Sequence, residues 1–176
     1  MTTTTIRWMT ERGDTVVARD GERRLVVVTA AAPMAQRRRA ERVARHVARR
    51  TGFAGSFHAS HPPDSTKRHA FVRINGRAVV AYALFQMVTY ARATTWAELD
   101  ALSPGQSIPL FAVPRWALGL IWVAPNARSQ GVAPWLIRTA SVYVGATLNA
   151  LAWAGPFSSA GERLARRMCP EQIVVA

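Results

Sequence analysis

Apolar positions in this chain fall into short runs punctuated by Gly, Pro and Asn, and the period of the runs changes along the sequence. Val16–Arg19 and Leu25–Thr29 flank Asp20-Gly21, a dipeptide that readily supplies positive φ, and read as two strands around a turn. From Pro33 the period becomes helical. Met34, Val43, Val47 and the intervening alanines share one stripe until Thr51-Gly52 stops it, while Arg37, Arg38, Arg39, Arg42, Arg45, Arg49 and Arg50 take the other faces. This predicts a basic amphipathic helix, packed on one side and solvated on the other. Phe53–Arg68 reads as an irregular connection whose His58 and His61 fit no metal-binding spacing.

Phe71–Ile74 and Val79–Phe85 around Asn75-Gly76 form the strongest hairpin signal, with Asn-Gly suited to a type I′ turn. Thr94–Gln106 reads as an insertion holding a short helix, Trp96–Leu99, and a turn at Ser103-Pro104-Gly105; function often resides on such insertions. Ile108–Val113 and Trp116–Val123 are predicted as strands, Val132 to about Val144 as a helix, and Leu148–Ala154 as a buried strand. A capped helix over Ser158–Met168, with Glu162 near its start, and a strand over Ile173–Val175 complete the chain. Residues 1–12 carry no periodicity and are expected to be flexible, leaving 13–176 as one domain.

Composition narrows the function classes. The chain has 176 residues and is 49% hydrophobic, enough for one substantial core. A formal net charge of +13, nearly all from arginine because Lys67 is the only lysine, creates a field that attracts polyanions. Solvated arginine faces and an anionic cofactor account for that charge, so nucleic acid is the less favoured partner. The single cysteine, Cys169, excludes an internal disulfide and a cysteine-based zinc site and suits a reducing compartment. Met1–Thr10 lacks a signal-peptide apolar core, and no run approaches the roughly 20 apolar residues of a membrane span. A soluble, cytoplasmic protein without membrane or metal association is expected.

The most informative stretch is Leu120–Leu136, where a buried strand ends in the turn Ala124-Pro125-Asn126-Ala127-Arg128 and opens a helix. Successive backbone N–H groups from Ser129 to Ala133 would be unpaired there, and the helix dipole adds positive potential, so the segment suits a pyrophosphate. Gly131 permits close approach, Ala133 keeps the next contact small, and Pro134 sits where no N–H is needed.

Arg128-x-x-Gly131-x-Ala133 after Ile121-Trp122-Val123 resembles the Arg/Gln-x-x-Gly-x-Gly/Ala acetyl-CoA signature of GNAT-superfamily N-acetyltransferases. The likeness extends from Arg24 to Ala176. It is strongest to the catalytic domain of cohesin acetyltransferases, through Thr51-Gly52-Phe53 after a helix, Val79-Val80-Ala81-Tyr82 after a hairpin turn, and Pro156-Phe157-Ser158-Ser159-Ala160-Gly161 after a late strand. The resemblance implies an α/β GNAT fold: a mixed, mostly antiparallel sheet with a V-shaped splay between two parallel strands and helices on both faces. It also implies acetyl-CoA as cofactor. Backbone groups of Ile121, Trp122 and Val123 would meet the pantetheine arm, Arg128, Ser129, Gln130, Gly131, Val132, Ala133 and Pro134 the pyrophosphate, and Ser158, Ser159 and Ala160 a further part of the cofactor.

The departures from that family concern catalysis. The serine before the Ile-Trp-Val strand is replaced by Gly119, the acidic residue entering the Pro-rich turn by Gly155 or Pro156, and the Cys/His zinc finger is absent. An attacking amine must lose a proton, and Glu98 and Asp100 on the insertion are the candidate bases, with Ser158 or Tyr143 as donors to the departing thiolate. Glu162 reads as a helix-start acid, His58, His61 and His69 as weaker candidates, and Cys169 as a packed thiol. The expected acceptor is a lysine or N-terminal amine of a protein or peptide. A small-molecule amine is the alternative, and a non-catalytic acyl-CoA or nucleic-acid-binding module the further one.

Overall fold

Leu25, Val26, Val27 and Val28 are all buried, with no alternation, because β2 (Arg23–Thr29) is covered on both faces. In the computed structural model, which describes residues 5–9, 11–53, 57–60, 68–155 and 157–176, β2 is the second strand of a seven-stranded mixed sheet. The others are β1 (Thr15–Asp20), β3 (Arg68–Asn75), β4 (Ala78–Thr95), β5 (Phe111–Val123), β6 (Ala152–Trp153) and β7 (Gln172–Val175). Strands β1 to β5 pair antiparallel in sequence order, whereas β6 runs parallel to both β5 and β7. The last four residues of β4, Arg92–Thr95, pair with β7 and close β4, β5, β6 and β7 into a ring. Ala91, Ala117, Ala152 and Val174, one from each strand, fill it. Only small side chains let four backbones approach that closely.

Helix α1 (Met34–Thr51) buries Ala40, Val43, Ala44 and Val47 and ends at Gly52, whose φ of 70° is the left-handed cap that glycine adopts at little cost. Helix α3 (Val132–Tyr143) lies on the opposite face. Its Tyr143 and Trp135 meet Phe71 and Arg73 of β3 at 5.6 and 4.3 Å, while His46 of α1 meets Trp122 at 6.4 Å. Trp122 stands opposite Tyr82, which stands opposite Val72, on the alternate β3 face. Two shorter helices, α2 (Trp96–Asp100) and α4 (Ser159–Met168), pack together through Arg166, which lies 4.3 Å over the Trp96 ring. Among the described residues, no helix is long and apolar enough to cross a membrane.

Several local expectations need correction. Both hairpins are shifted by one residue: Asp20 pairs with Arg23 and Asn75 with Ala78, so the loops are Gly21-Glu22 and Gly76-Arg77. Only the glycine of each has positive φ, the requirement of a II′ rather than a I′ turn. Ile108–Val113 and Trp116–Val123 are not separate strands. From Phe111 onward they form one strand, with Pro114 accommodated where the register slips between Val88 and Tyr90. The expected strand over Leu148–Ala154 shrinks to Ala152–Trp153 after a 3₁₀ turn at Leu148–Ala150. Thr94 and Thr95, expected to begin an insertion, belong to β4.

The flexible segment expected through Arg12 does not include Ile6–Trp8. Ile6 accepts a hydrogen bond from Val79 N, Trp8 donates to Arg77 O, and the Trp8 side chain is 1% exposed. Its indole Nε1 donates to Asp14, which forms a buried ion pair with Arg39 at 2.5 Å. A lone tryptophan among polar residues carries no periodic signal, so this latch is visible only in three dimensions.

His69 sits among Trp116, Phe71 and Tyr143, and burial holds its pKa below the ordinary imidazole value, as it does for His46. A depressed folded-state value means that the unfolded chain takes up the proton first. Stability is therefore unaffected well above the ordinary imidazole pKa of about 6.5 and falls as pH drops through it. We predict that urea unfolding at pH 5.5 has a lower midpoint than at pH 7.5, and that His69→Gln narrows the gap. An unchanged gap would place the acid sensitivity elsewhere.

Candidate cofactor and active site

Strands β5 and β6 pair at Ala117–Ala152 and Leu118–Trp153, and their last contact is the hydrogen bond from Ala154 N to Leu118 O at 3.1 Å. Beyond it they diverge. At that point β5 carries a bulge: Leu120 faces Leu84 and Leu118 faces Phe85, leaving Gly119 as the extra residue. A Cβ at Gly119 would stand 3.5 Å from the Gln86 amide, so Gly119 shares a face with Gln86. The space opened by the divergence is a cleft of about 310 Å³, lined by Thr51, Gly52 and Phe53 after α1, by Leu118–Ile121 of β5, and by Trp153, Phe157, Ser158 and Gly161 around the start of α4.

Strand alternation determines which backbone groups face this opening. Ala124 N donates to Val80 O on the β4 side, so the N–H and C=O groups of Ile121 and Val123 face the splay and those of Trp122 face β4. The Trp122 side chain is buried against α1 and walls a different cavity. Of the three residues expected along the pantetheine arm, Ile121 thus presents both backbone groups on the open side and Val123 its N–H, its carbonyl being taken by Arg128.

After β5 the chain makes a 3₁₀ turn at Pro125–Ala127, and then a short loop leads into α3. Arg128 Nε donates to Val123 O at 3.1 Å and Gln130 Nε2 to Asn126 O at 2.9 Å, which ties the loop to itself. Ser129 and Gly131 have φ of 60° and 71°, and Ser129 is the one non-glycine residue with positive φ among those described. Left-handed backbone at a residue with a Cβ costs on the order of 1–2 kcal/mol. Here the alternation curls successive N–H groups toward one point, as in an anion nest. Among the described residues, the N–H groups of Ser129, Gln130, Gly131, Val132 and Ala133 donate no hydrogen bond, and no side chain caps α3. Ser129, Gln130 and Gly131 are exposed, so these donors face solvent beside the open edge of the cleft.

Ser158 is the N-cap of α4, and its Oγ accepts from Gly161 N at 3.1 Å, leaving its own proton free to donate. Ser159 and Ala160 form the exposed first turn of the same helix. Pro156 and His61 lie outside the described residues.

The other candidate catalytic residues have local partners. Glu98 is the acid of a capping box, accepting from Thr95 N at 3.0 Å and from Thr94 Oγ1 at 2.6 Å, and these hydrogen bonds hold its carboxyl below the usual carboxylate range. Asp100 is bound by Arg166, which also holds Glu162 at 2.9 Å, and the guanidinium thereby fastens α2 to α4. Tyr143 packs on His69 and Phe71, neither of which lines the cleft. The Cys169 thiol is buried and pushed above its ordinary value by that burial. Among the described lining residues, only Thr51 and Ser158 bring a hydroxyl to the cleft, the one other side-chain heteroatom being the buried indole Nε1 of Trp153.

Sequence reasoning missed the Gly119 bulge and the lining from Thr51 to Phe53. A glycine inside an apolar strand was the available signal for the first. Thr51-Gly52-Phe53 was read only as a helix stop and a point of family likeness.

A mixed sheet splayed between two parallel strands, with helices on both faces, is the fold of GNAT acetyltransferase domains. Comparison with solved structures places the chain in that fold. It superposes on the xEco2 acetyltransferase domain with a TM-score of 0.66 at 20% identity, over 95% of this chain and 98% of that one. A structure of the same domain bound to a K105-CoA conjugate gives a TM-score of 0.67 at 20% identity, over 93% of this chain and 96% of that one. The sequence itself matches no protein-family model and no curated protein.

Proposed function

We propose that the chain is an acetyl-CoA-dependent N-acetyltransferase that acts on a primary amine by direct attack within a ternary complex. The observation that carries this reading is the run of five free amides from Ser129 to Ala133 beyond the end of a strand whose Ile121 lines an open cleft. Five convergent donors at a helix start suit a pyrophosphate, and an unpaired strand edge suits the amides of a pantetheine arm. When bound, acetyl-CoA would supply the activated acyl carbonyl. The Ile121 N–H would stabilise negative charge on the carbonyl oxygen, and the Ser158 hydroxyl would donate toward the sulfur. The K105-CoA conjugate of the xEco2 domain supports a lysine side chain of a protein or peptide as the acceptor.

The base in this reading is solvent. Glu98 and Asp100 are committed to α2 and to its junction with α4, and a carboxylate held acidic by two hydrogen bonds is a weak proton acceptor. Glu98→Gln and Asp100→Asn should therefore keep kcat within about threefold with little change in the unfolding midpoint, because glutamine still accepts from Thr95 N in the capping box and an exposed ion pair contributes little. A hundredfold fall in kcat with either would make that carboxylate the base, since general-base catalysis is worth about 10²–10⁴.

Calorimetric titration with acetyl-CoA and CoA, together with thiol release on lysine peptides and polyamines, tests the whole reading. Turnover with peptides supports the protein acetyltransferase, and turnover with polyamines alone moves the acceptor to small amines. Binding without turnover indicates a non-catalytic acyl-CoA module. Absence of binding overturns the reading.

A further inference from the structure

A second cavity, of about 460 Å³, adjoins the loop that follows β5 and is lined by no carboxylate among the described residues. Its cationic groups come from both sides, Arg50 from the last turn of α1 and Arg128 from the loop, with the His46 imidazole beside them. Trp122, 9% exposed, forms an apolar wall, and Asn126 adds an amide. Arg128 spends only its Nε on Val123 O, which leaves two terminal nitrogens unspent, and Arg50 makes no hydrogen bond or ion pair among the described residues. Two arginines with unspent donors, a histidine and an aromatic wall, without a neutralising acid, form a site selective for a phosphorylated aromatic ligand. Burial and the charges of Arg50 and Arg49 hold His46 below its usual pKa, so near neutral pH it serves as an uncharged polar wall.

Position narrows the ligand class. Pro125, Asn126 and Arg128 belong both to this cavity and to the loop leading into the free amides of Ser129–Ala133, so an anion bound in the nest lies next to the cavity mouth. Thr51 lines both this cavity and the catalytic cleft. We propose that this cavity binds the phosphomonoester end of the cofactor, with Arg50 and Arg128 clamping the 3′-phosphate of the CoA nucleotide. The proposal rests on the acetyl-CoA reading above and extends it to α1, a helix that carries no part of the sequence signature.

The test compares CoA with 3′-dephospho-CoA by calorimetry on the full chain and on Arg50→Gln, an exposed helix-end substitution whose folding is checked by thermal melting. Wild-type protein should bind CoA at least tenfold more tightly than dephospho-CoA, the range of one to two charge-assisted hydrogen bonds. Arg50→Gln should collapse that ratio toward one by weakening CoA alone, and Arg50→Lys should restore part of it. Equal wild-type affinities, or a ratio untouched by Arg50→Gln, would overturn the proposal while leaving the acetyl-CoA reading intact. If neither compound binds, both readings fall. Adenosine 3′,5′-bisphosphate separates the sources of the phosphate: binding that competes with CoA supports the proposal, and binding beside saturating CoA assigns the cavity to an independent nucleotide and overturns it.

Discussion

Replacing Gly131 with glutamate is expected to abolish measurable acetyl-CoA binding, a loss of a hundredfold or more. Two effects coincide at this position and can be separated. Gly131 has φ of 71°, where any L side chain is strained, yet a Cβ built there meets nothing within 4 Å. Steric clash with the protein is thus not the issue. Strain alone, about 1–2 kcal/mol, would be felt by Gly131→Ala and less by Gly131→Asn, because asparagine tolerates left-handed backbone. Glutamate adds a carboxylate beside five amides that have no other partner, so it competes for the donors that the phosphates require. The expected order of affinity is glycine, asparagine, alanine and, far below, glutamate. A Gly131→Glu variant that titrates like the parent would remove the nest from the cofactor site.

The second large effect lies far from the cleft. Asp14→Ala should destabilise the fold by about 3–5 kcal/mol, because the Arg39 guanidinium would remain buried without its partner. Side-chain exposures of 5% for Arg39 and 1% for Asp14 exclude rescue by solvent, and Glu11, 2.9 Å from Arg39 but 54% exposed, is a poor substitute. The same aspartate accepts from Trp8 Nε1 at 2.9 Å, so the substitution also frees a buried indole. Combining Asp14→Ala with Arg39→Met removes both charges and should cost less than the sum of the two single changes. Urea unfolding of the three variants decides: single losses below about 1 kcal/mol would show that the latch contributes little.

The contrast between these two sites shows what a sequence can disclose. The nest was legible because its determinants are adjacent: Arg128, Gly131, Ala133 and Pro134 lie within seven residues, and helix-start physics acts over that range. Both hairpins were legible from Asp20-Gly21 and Asn75-Gly76, although one glycine each reveals that a turn occurs, not which residue begins it. The latch joins Trp8, Asp14 and Arg39, whose separations match no period, so nothing local marked that arginine off from its solvated neighbours. Glu98 was conspicuous as an acid near a turn, but capping boxes and catalytic bases draw on the same residue types, and the Thr95 hydroxyl decides between them. The two-residue β6 escaped because its length depends on the simultaneous approach of β5 and β7.

The ring of small residues beneath the splay acts as a shim. Ala117 and Ala152 face each other one rung before the last pair of β5 and β6, Leu118–Trp153, with Ala91 and Val174 completing the layer. The thickness of that layer fixes the opening angle of the V, much as a spacer at a hinge fixes how far its leaves stand apart. A larger side chain there would widen the mouth without touching any group that meets the ligand. In the acetyl-CoA reading, acyl-chain length would thereby be set from below the floor of the cleft, independently of the proposed phosphate contacts.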